Sequence, residues 1–226
     1  PVFTAELRQS NLCTYDHTAP GLYATVAFSL TGGNLLKWFR DEFAPGQAYA
    51  DLLKTAAPAP TNLRVLPYWT PSGTPYFDVE TPGAILGLRL STTRGEILRA
   101  LLEGVAFEMR LNLDILDRCG CRITELRAIG GGARSAWWTQ LKADVLGKPI
   151  TTLDVPEAGC RGVAMLACAA DTGESVASLA ARWVRPTGIF QPNPDFAGRY
   201  TQSFAQYRQL HPRLSAAGVD FIQPAS

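Results

Sequence analysis

ELRAIGGGARSAWWTQLKADVLGKPITTLD, residues 125–154, is the stretch that decides the fold. Glu125 to Ile129 reads as a short strand, and Gly130-Gly131-Gly132-Ala133-Arg134-Ser135 as a glycine turn. Ala136 to Leu146 then reads as a helix closed by Gly147-Lys148-Pro149, and Ile150 to Leu153 as the next strand. A strand that enters a helix through glycines brings backbone N–H groups and the positive end of the helix dipole to one place, with no Cβ atoms in the way. A nucleotide is the natural guest of such a turn, although the same glycines also serve plain strand-to-helix packing.

Upstream, Thr93 to Arg118 carries Ile97, Leu98, Leu101, Leu102, Val105, Met109, Leu113 and Leu116 at helical spacing. Thr93 and Glu96 stand as a capping box at its start. Residues 55–82 hold six prolines among Tyr68, Trp69, Tyr76 and Phe77, which predicts either a loop that packs its own aromatics, the favoured reading, or a surface excursion that meets a partner or substrate. Leu35, Leu36, Phe39 and Phe43 predict a helix that begins at a second glycine junction, Thr31-Gly32-Gly33. Leu7 to Cys13 reads as a strand, and the apolar run Leu22 to Leu30 as a central strand covered on both faces. Downstream, Cys160 to Ala170 predicts a buried helix of small residues, and Phe196 to Leu210 a helix with Phe196, Tyr200, Phe204 and Tyr207 on one face. Strands alternating with helices give an α/β domain with a mixed sheet.

With 21 Lys and Arg against 20 Asp and Glu, the net charge of +1 gives nothing to neutralise a phosphate backbone, and nucleic acid is not an expected partner. The longest apolar stretches are too short to span a bilayer, so no membrane partner is expected. Five scattered cysteines (Cys13, Cys119, Cys121, Cys160, Cys168) point to a reducing compartment, the cytoplasm. The two histidines, His17 and His211, repeat no zinc-ligand spacing and allow no Ser/His/Asp set; no P-loop motif is present. The text opens on Pro1 in mid-pattern, as an excised piece of a longer chain would.

Two further site readings weigh against the turn at Gly130. Asp154 sits where a Rossmann ribose-binding acid would, but only Ile150 to Leu153 has a clear strand pattern beyond Gly132, too few for a doubly wound sheet. Lys37, one turn into the Leu35 helix, reaches either a nucleotide or solvent. Asp78, Glu80, Asp144 and Glu157 all sit where ordinary surface or helix-end acids belong, and none is assigned a general-base role.

Gly83-Ala-Ile-Leu-Gly87-Leu88, followed by Glu96-Ile97 and Ala100-Leu101-Leu102-Glu103, matches at every position a signature of the FGGY carbohydrate kinases, which the chain resembles over nearly its whole length. Leu66-Pro67-Tyr68 with Thr74-Pro75 and Asp78, the Gly130 to Ser135 turn, and the Gly/Ala-rich Glu157 to Ala170 segment are similar to further segments of that family. The chain departs from it at Pro71-Ser72-Gly73, where relatives often carry Gly-Glu-Arg.

The resemblance implies a ribonuclease H-like, actin-like ATPase domain covering residues 1–226, the C-terminal half of a kinase, with a Pro/aromatic excursion at about 55–82. It implies that Gly131, Gly132, Ala133 and Ser135 lie along the adenosine, with Gly32, Gly33 and Lys37 on the opposite wall. ATP and Mg²⁺ are the implied cofactors, and a sugar or polyol, xylulose-like by overall similarity, the implied acceptor. The family's N-terminal domain, with its phosphate loop and catalytic aspartate, has no counterpart in these residues, so no catalytic residue is assigned and the chain alone is expected to be inactive. A homodimer is among the expected partners. The alternative from another class is a non-catalytic nucleotide-binding or interaction domain.

Overall fold

The computed structural model describes residues 4–155 and 157–217. In chain order they form α1 (Ala5–Gln9), β1 (Cys13–Asp16), β2 (Tyr23–Val26), α2 (Gly33–Phe43), α3 (Tyr49–Lys54), β3 (Arg64–Leu66) and β4 (Ala84–Leu86). Then follow α4 (Arg94–Arg118), β5 (Leu126–Ala128), α5 (Ala136–Leu146), β6 (Ile150–Leu153), α6 (Ala158–Thr172), α7 (Val176–Trp183), β7 (Pro186–Phe190), α8 (Pro194–Tyr207) and α9 (Leu210–Ala216).

The core is built around α4. Its capping box forms as expected: Glu96 N–H donates to Thr93 Oγ1 at 3.2 Å, and Thr93 N–H donates to Glu96 Oε2 at 2.8 Å. Leu98, Leu101 and Leu102 are fully buried, and α2, α5 and β3 pack against the helix. Ile97 and Met109 are partly buried at the margin of this core.

A polar stripe also runs along α4 inside the protein: Arg99, Glu103, Glu108 and Asn112 are all buried. Arg99 pairs with Glu103 at 2.9 Å and donates to the Tyr200 hydroxyl of α8 at 2.8 Å, while Thr61 donates to Glu103 at 2.8 Å. Asn112 accepts from Thr74. A buried charge keeps its stability only when paired and fully bonded, so this stripe fixes how α8 and residues 57–74 must sit on α4.

β5 and β6 are parallel, in register Leu126↔Ile150, and β7 adds antiparallel to β6 with an irregularity between Thr152 and Leu153. The sheet is mixed, as expected, and its antiparallel third strand is at odds with a doubly wound Rossmann order. β1 and β2 pair antiparallel in a separate ladder, as do β3 and β4.

The aromatics of the stretch at 55–82 pack on rings outside it rather than on one another. Tyr68 is buried, Trp69 lies 5.3 Å from Trp38, and Tyr76 stacks on His211 at 3.6 Å. Gly73 is required there: a Cβ on it would stand 2.1 Å from the Phe28 carbonyl oxygen, which accepts from Thr74 N–H.

Three expectations are corrected. Leu7 to Cys13 is not a strand: Thr4 caps a helix by accepting from Leu7 N–H, Glu6 and Arg8 complement its dipole, and β1 begins only at Cys13. Leu22 to Leu30 is not a covered central strand. Only Tyr23–Val26 is extended, in a hairpin with β1 that leaves Leu22, Val26 and Leu30 exposed, and beyond it Phe28 turns to bond Thr74. The Cys160 to Ala170 helix forms, but within α6 only Met165 is buried; small side chains permit close approach without requiring it. β7, whose Pro and Gly hide the strand pattern, went unpredicted.

Candidate functional site

Gly130 turns the chain from β5 with φ +79°, a conformation open to glycine, into one 3-10 turn over Gly131–Ala133. Ala133 N–H donates to Gly130 at 3.1 Å and Arg134 N–H to Gly131 at 3.2 Å, closing the turn. Ser135 is the N-cap of α5: its hydroxyl accepts from Trp138 N–H at 3.2 Å. The far end of α5 closes on Gly147 in the left-handed region.

This turn faces the N-terminal half of α2 and one side of α3 across a cleft of about 760 Å³, within the roughly 300–1,000 Å³ of ordinary ligand sites. Gly131, Gly132 and Ser135 line one wall, and Gly33 lies on the other, so the two glycine junctions do meet. Leu36, Tyr49, Ala50, Leu53 and the stem of Lys54 complete the second wall, and Trp137 and Trp138 the first. The lining is mostly apolar, suited to a flat ring rather than to a carbohydrate's hydroxyls.

The other expected residues stand apart from this lining. Gly32 is the N-cap of α2. Lys37 points outward and pairs with Asp41 at 2.6 Å, so a contact with the cleft requires that pair to open. Ala133 faces a second, smaller cavity of about 360 Å³, which it shares with Gly130, Thr152 and Asp154. The four acids given no catalytic role do structural work or lie apart from the cleft: Asp78 accepts from Thr81, Glu80 N–H and His211, and Asp144 accepts from Gln140 and Asn193 N–H. Those donors hold the Asp78 carboxyl well below the usual carboxylate range against the opposing effect of burial.

Within the first wall, Gly131 and Gly132 differ. A Cβ on Gly131 would meet nothing within 4 Å, whereas one on Gly132 would come within 3.1 Å of Lys142 Nζ and 3.7 Å of the Trp138 ring. Lys142 lies over that ring, 4.3 Å from its centroid. Burial pushes its ammonium down to about 8. The Trp138 indole Nε1 is buried without a hydrogen-bond partner among the described residues.

The α3 wall was missed from the sequence. Tyr49, Ala50 and Leu53 belong to a helix of six residues between Pro45-Gly46 and the proline run, too short for periodicity to reveal. The tryptophan pair Trp137-Trp138, one residue beyond Ser135, is the signal that a ring-lined wall continues from the turn.

Residues 3–170 match the FGGY family of carbohydrate kinases, C-terminal domain. Xylulose kinase of Staphylococcus epidermidis is 27% identical over 218 residues, 94% of this chain and 44% of that protein. Glycerol kinase of Ralstonia nicotianae is 37% identical over 175 residues, 75% of this chain and 35% of that protein. The crystal structure of a xylulose kinase from Brucella ovis superposes with a TM-score of 0.83 at 28% identity, covering 92% of this chain and 43% of that one. The chain thus spans under half the length of the curated relatives it matches. The α/β, actin-like ATPase class expected from the sequence is the class of these neighbours.

Proposed function

Because the chain belongs to the FGGY family of carbohydrate kinases, we propose that it is the nucleotide-holding half of an enzyme that moves the γ-phosphoryl of ATP to a sugar or polyol hydroxyl. The observation that carries this reading is the single cleft in which Gly33 meets Gly131, Gly132 and Ser135. ATP supplies the transferable phosphoryl group and its electrophilic phosphorus. The residues of this chain bind and orient. Leu36, Tyr49, Leu53 and Trp137 offer the apolar faces between which adenine would lie, and the glycine turn lets the rest of the nucleotide approach the backbone. Ser135 acts by holding the N-terminus of α5 in place, Ala133 by closing the turn, and Gly32 by starting α2.

Phosphoryl transfer asks a protein chiefly for positioning and charge neutralisation, and a fixed nucleotide on one wall supplies the first of these. Mg²⁺ would enter with the triphosphate. No group of three or more His, Cys, Asp or Glu is assembled among the described residues, and no step is assigned to the ion. A xylulose-like acceptor is favoured by the likeness to xylulose kinases, with glycerol-like polyols next. The chain's five cysteines are all unpaired, which supports a cytoplasmic setting; no helix among the described residues is long and apolar enough to cross a membrane.

Calorimetric titration tests the reading. ADP added to the 226-residue chain gives a saturable heat. Gly131→Val, whose Cβ meets nothing within 4 Å, weakens binding about tenfold or more. No saturable binding by the unaltered chain, or equal affinity in the variant, contradicts it.

A further inference from the structure

A hollow of about 360 Å³ with a charged lining lies where the start of α6, the end of α7 and the entry to β7 meet. Asp154, Arg161, Arg182, Trp183 and Arg185 border it, and it shares no residue with the nucleotide cleft. The three arginines are committed to different degrees. Arg161 is half-buried, and its Nη1 donates to the Asp154 carbonyl at 2.6 Å and to the Trp183 carbonyl at 2.7 Å. Those bonds satisfy the last carbonyl of α7 and pin the guanidinium, while Nε and Nη2 keep no partner among the described residues. Arg182 gives Nη2 to Glu174 at 2.8 Å. Arg185 is exposed and has neither a side-chain hydrogen bond nor an acidic partner among the described residues, although its carbonyl accepts from Asp154 N–H at 2.8 Å.

Asp154 supplies the decisive observation. Its carboxylate borders the same hollow as the three guanidiniums, yet none of them pairs with it, and it accepts no hydrogen bond among the described residues. Opposite charges that share a small hollow without meeting leave the hydrogen-bonding capacity of both open to a ligand between them. Counting Glu174 with Asp154, the guanidiniums still leave a positive excess.

A ligand that serves every group here carries an anion for the arginines, hydroxyls that donate to Asp154, and an apolar C–H face for the Trp183 ring. Guanidinium forks match phosphate oxygens two at a time. A bare phosphate would bring a like charge to Asp154 and give it no donor; a free sugar would leave the arginines unserved.

We propose that this hollow binds a phosphorylated sugar or polyol, with its phosphate on Arg161 and Arg185 and a hydroxyl donating to Asp154. Such a ligand is of the chemical class that the proposed phosphoryl transfer produces, but the site stands on its own residues and does not depend on the nucleotide reading.

The experiment is a calorimetric titration of the full 226-residue chain with glycerol 3-phosphate and with xylulose 5-phosphate, against inorganic phosphate, glycerol and xylulose. Both esters should bind saturably and more tightly than inorganic phosphate, and the unphosphorylated compounds should give no saturable heat over the same range. Arg185→Gln, which removes no side-chain bond of the described residues, should lower ester affinity about tenfold while leaving ADP affinity unchanged. Asp154→Ala should narrow the gap between the esters and inorganic phosphate, because it removes both the hydroxyl acceptor and the charge that opposes a bare anion. Added NaCl should weaken ester binding less in Arg185→Gln than in the parent. No saturable ester binding by the unaltered chain, equal ester affinity in Arg185→Gln, or an equal loss of ester and ADP affinity there overturns the inference, as does an undiminished ester preference in Asp154→Ala. The nucleotide reading is judged separately, by the ADP affinity of the unaltered chain.

Discussion

Glu108, 1% exposed in the middle of α4, accepts from the hydroxyls of Tyr68 and Tyr207 through one carboxylate oxygen, while its other oxygen has no partner among the described residues. Burial raises its pKa to about 7 despite those two donors, which pull the other way. The folded chain therefore holds this proton at pH values where the unfolded chain, with an ordinary value of 4.5, has released it. The stability that results is fully present below 4.5 and is lost as pH rises towards 7, about 3 kcal/mol in all at roughly 1.4 kcal/mol per pH unit. Glu108→Gln removes the titration. Urea unfolding across this range should show the variant gaining on the parent as pH rises, by about that amount. A difference between the two that stays constant with pH would contradict the assignment.

At this same scale the site was half legible. Gly33, Gly131 and Gly132 stood out because glycines at a strand-to-helix junction leave the backbone open to a ligand, although plain packing uses them too, and the structure brings them to one cleft. Tyr49 and Leu53 did not stand out, because a helix of six residues is too short for a period to show.

Among the elements, those with strong local signals formed where the sequence placed them. α4 owes its start to Thr93 and Glu96, and α5 runs between Ser135 and Gly147 as expected. Strands were less legible: β2 carries an apolar run like that of a buried strand yet lies in an exposed hairpin, and β7 breaks its own pattern with Pro186 and Gly188. Strand character is set by what pairs with and covers the segment, whereas a helix satisfies its hydrogen bonds internally. The reciprocal cap at α4 gives a direct test. Thr93→Ala should lower stability by about 1 kcal/mol without altering ADP affinity, since Thr93 lies away from the cleft. A drop in ADP affinity beyond what unfolding explains would show that α4 and the cleft are coupled.

For the molecule as a whole, the mixed sheet and α4 serve one end: β5 and β6 flank the glycine turn and α5, and α2 and α5 both pack on α4, so that the turn faces the N-terminal half of α2 across a cleft. Fold class and family were both legible, because the Gly83 to Glu103 signature and the Gly130 turn are written in consecutive residues. The shape of the cleft was not, because its second wall comes from α3, more than 70 residues from that turn, a separation across which one sequence carries no contact information.

The most direct test of the central claim is a map of where an adenine nucleotide touches the chain. In an amide NMR titration with ADP, the signals of Gly33, Gly131, Gly132 and Ser135, together with the indole N–H of Trp137, should move along one saturable curve, while those of the β1–β2 hairpin stay in place. Saturable shifts that cluster elsewhere and leave the glycine turn unmoved would contradict the account.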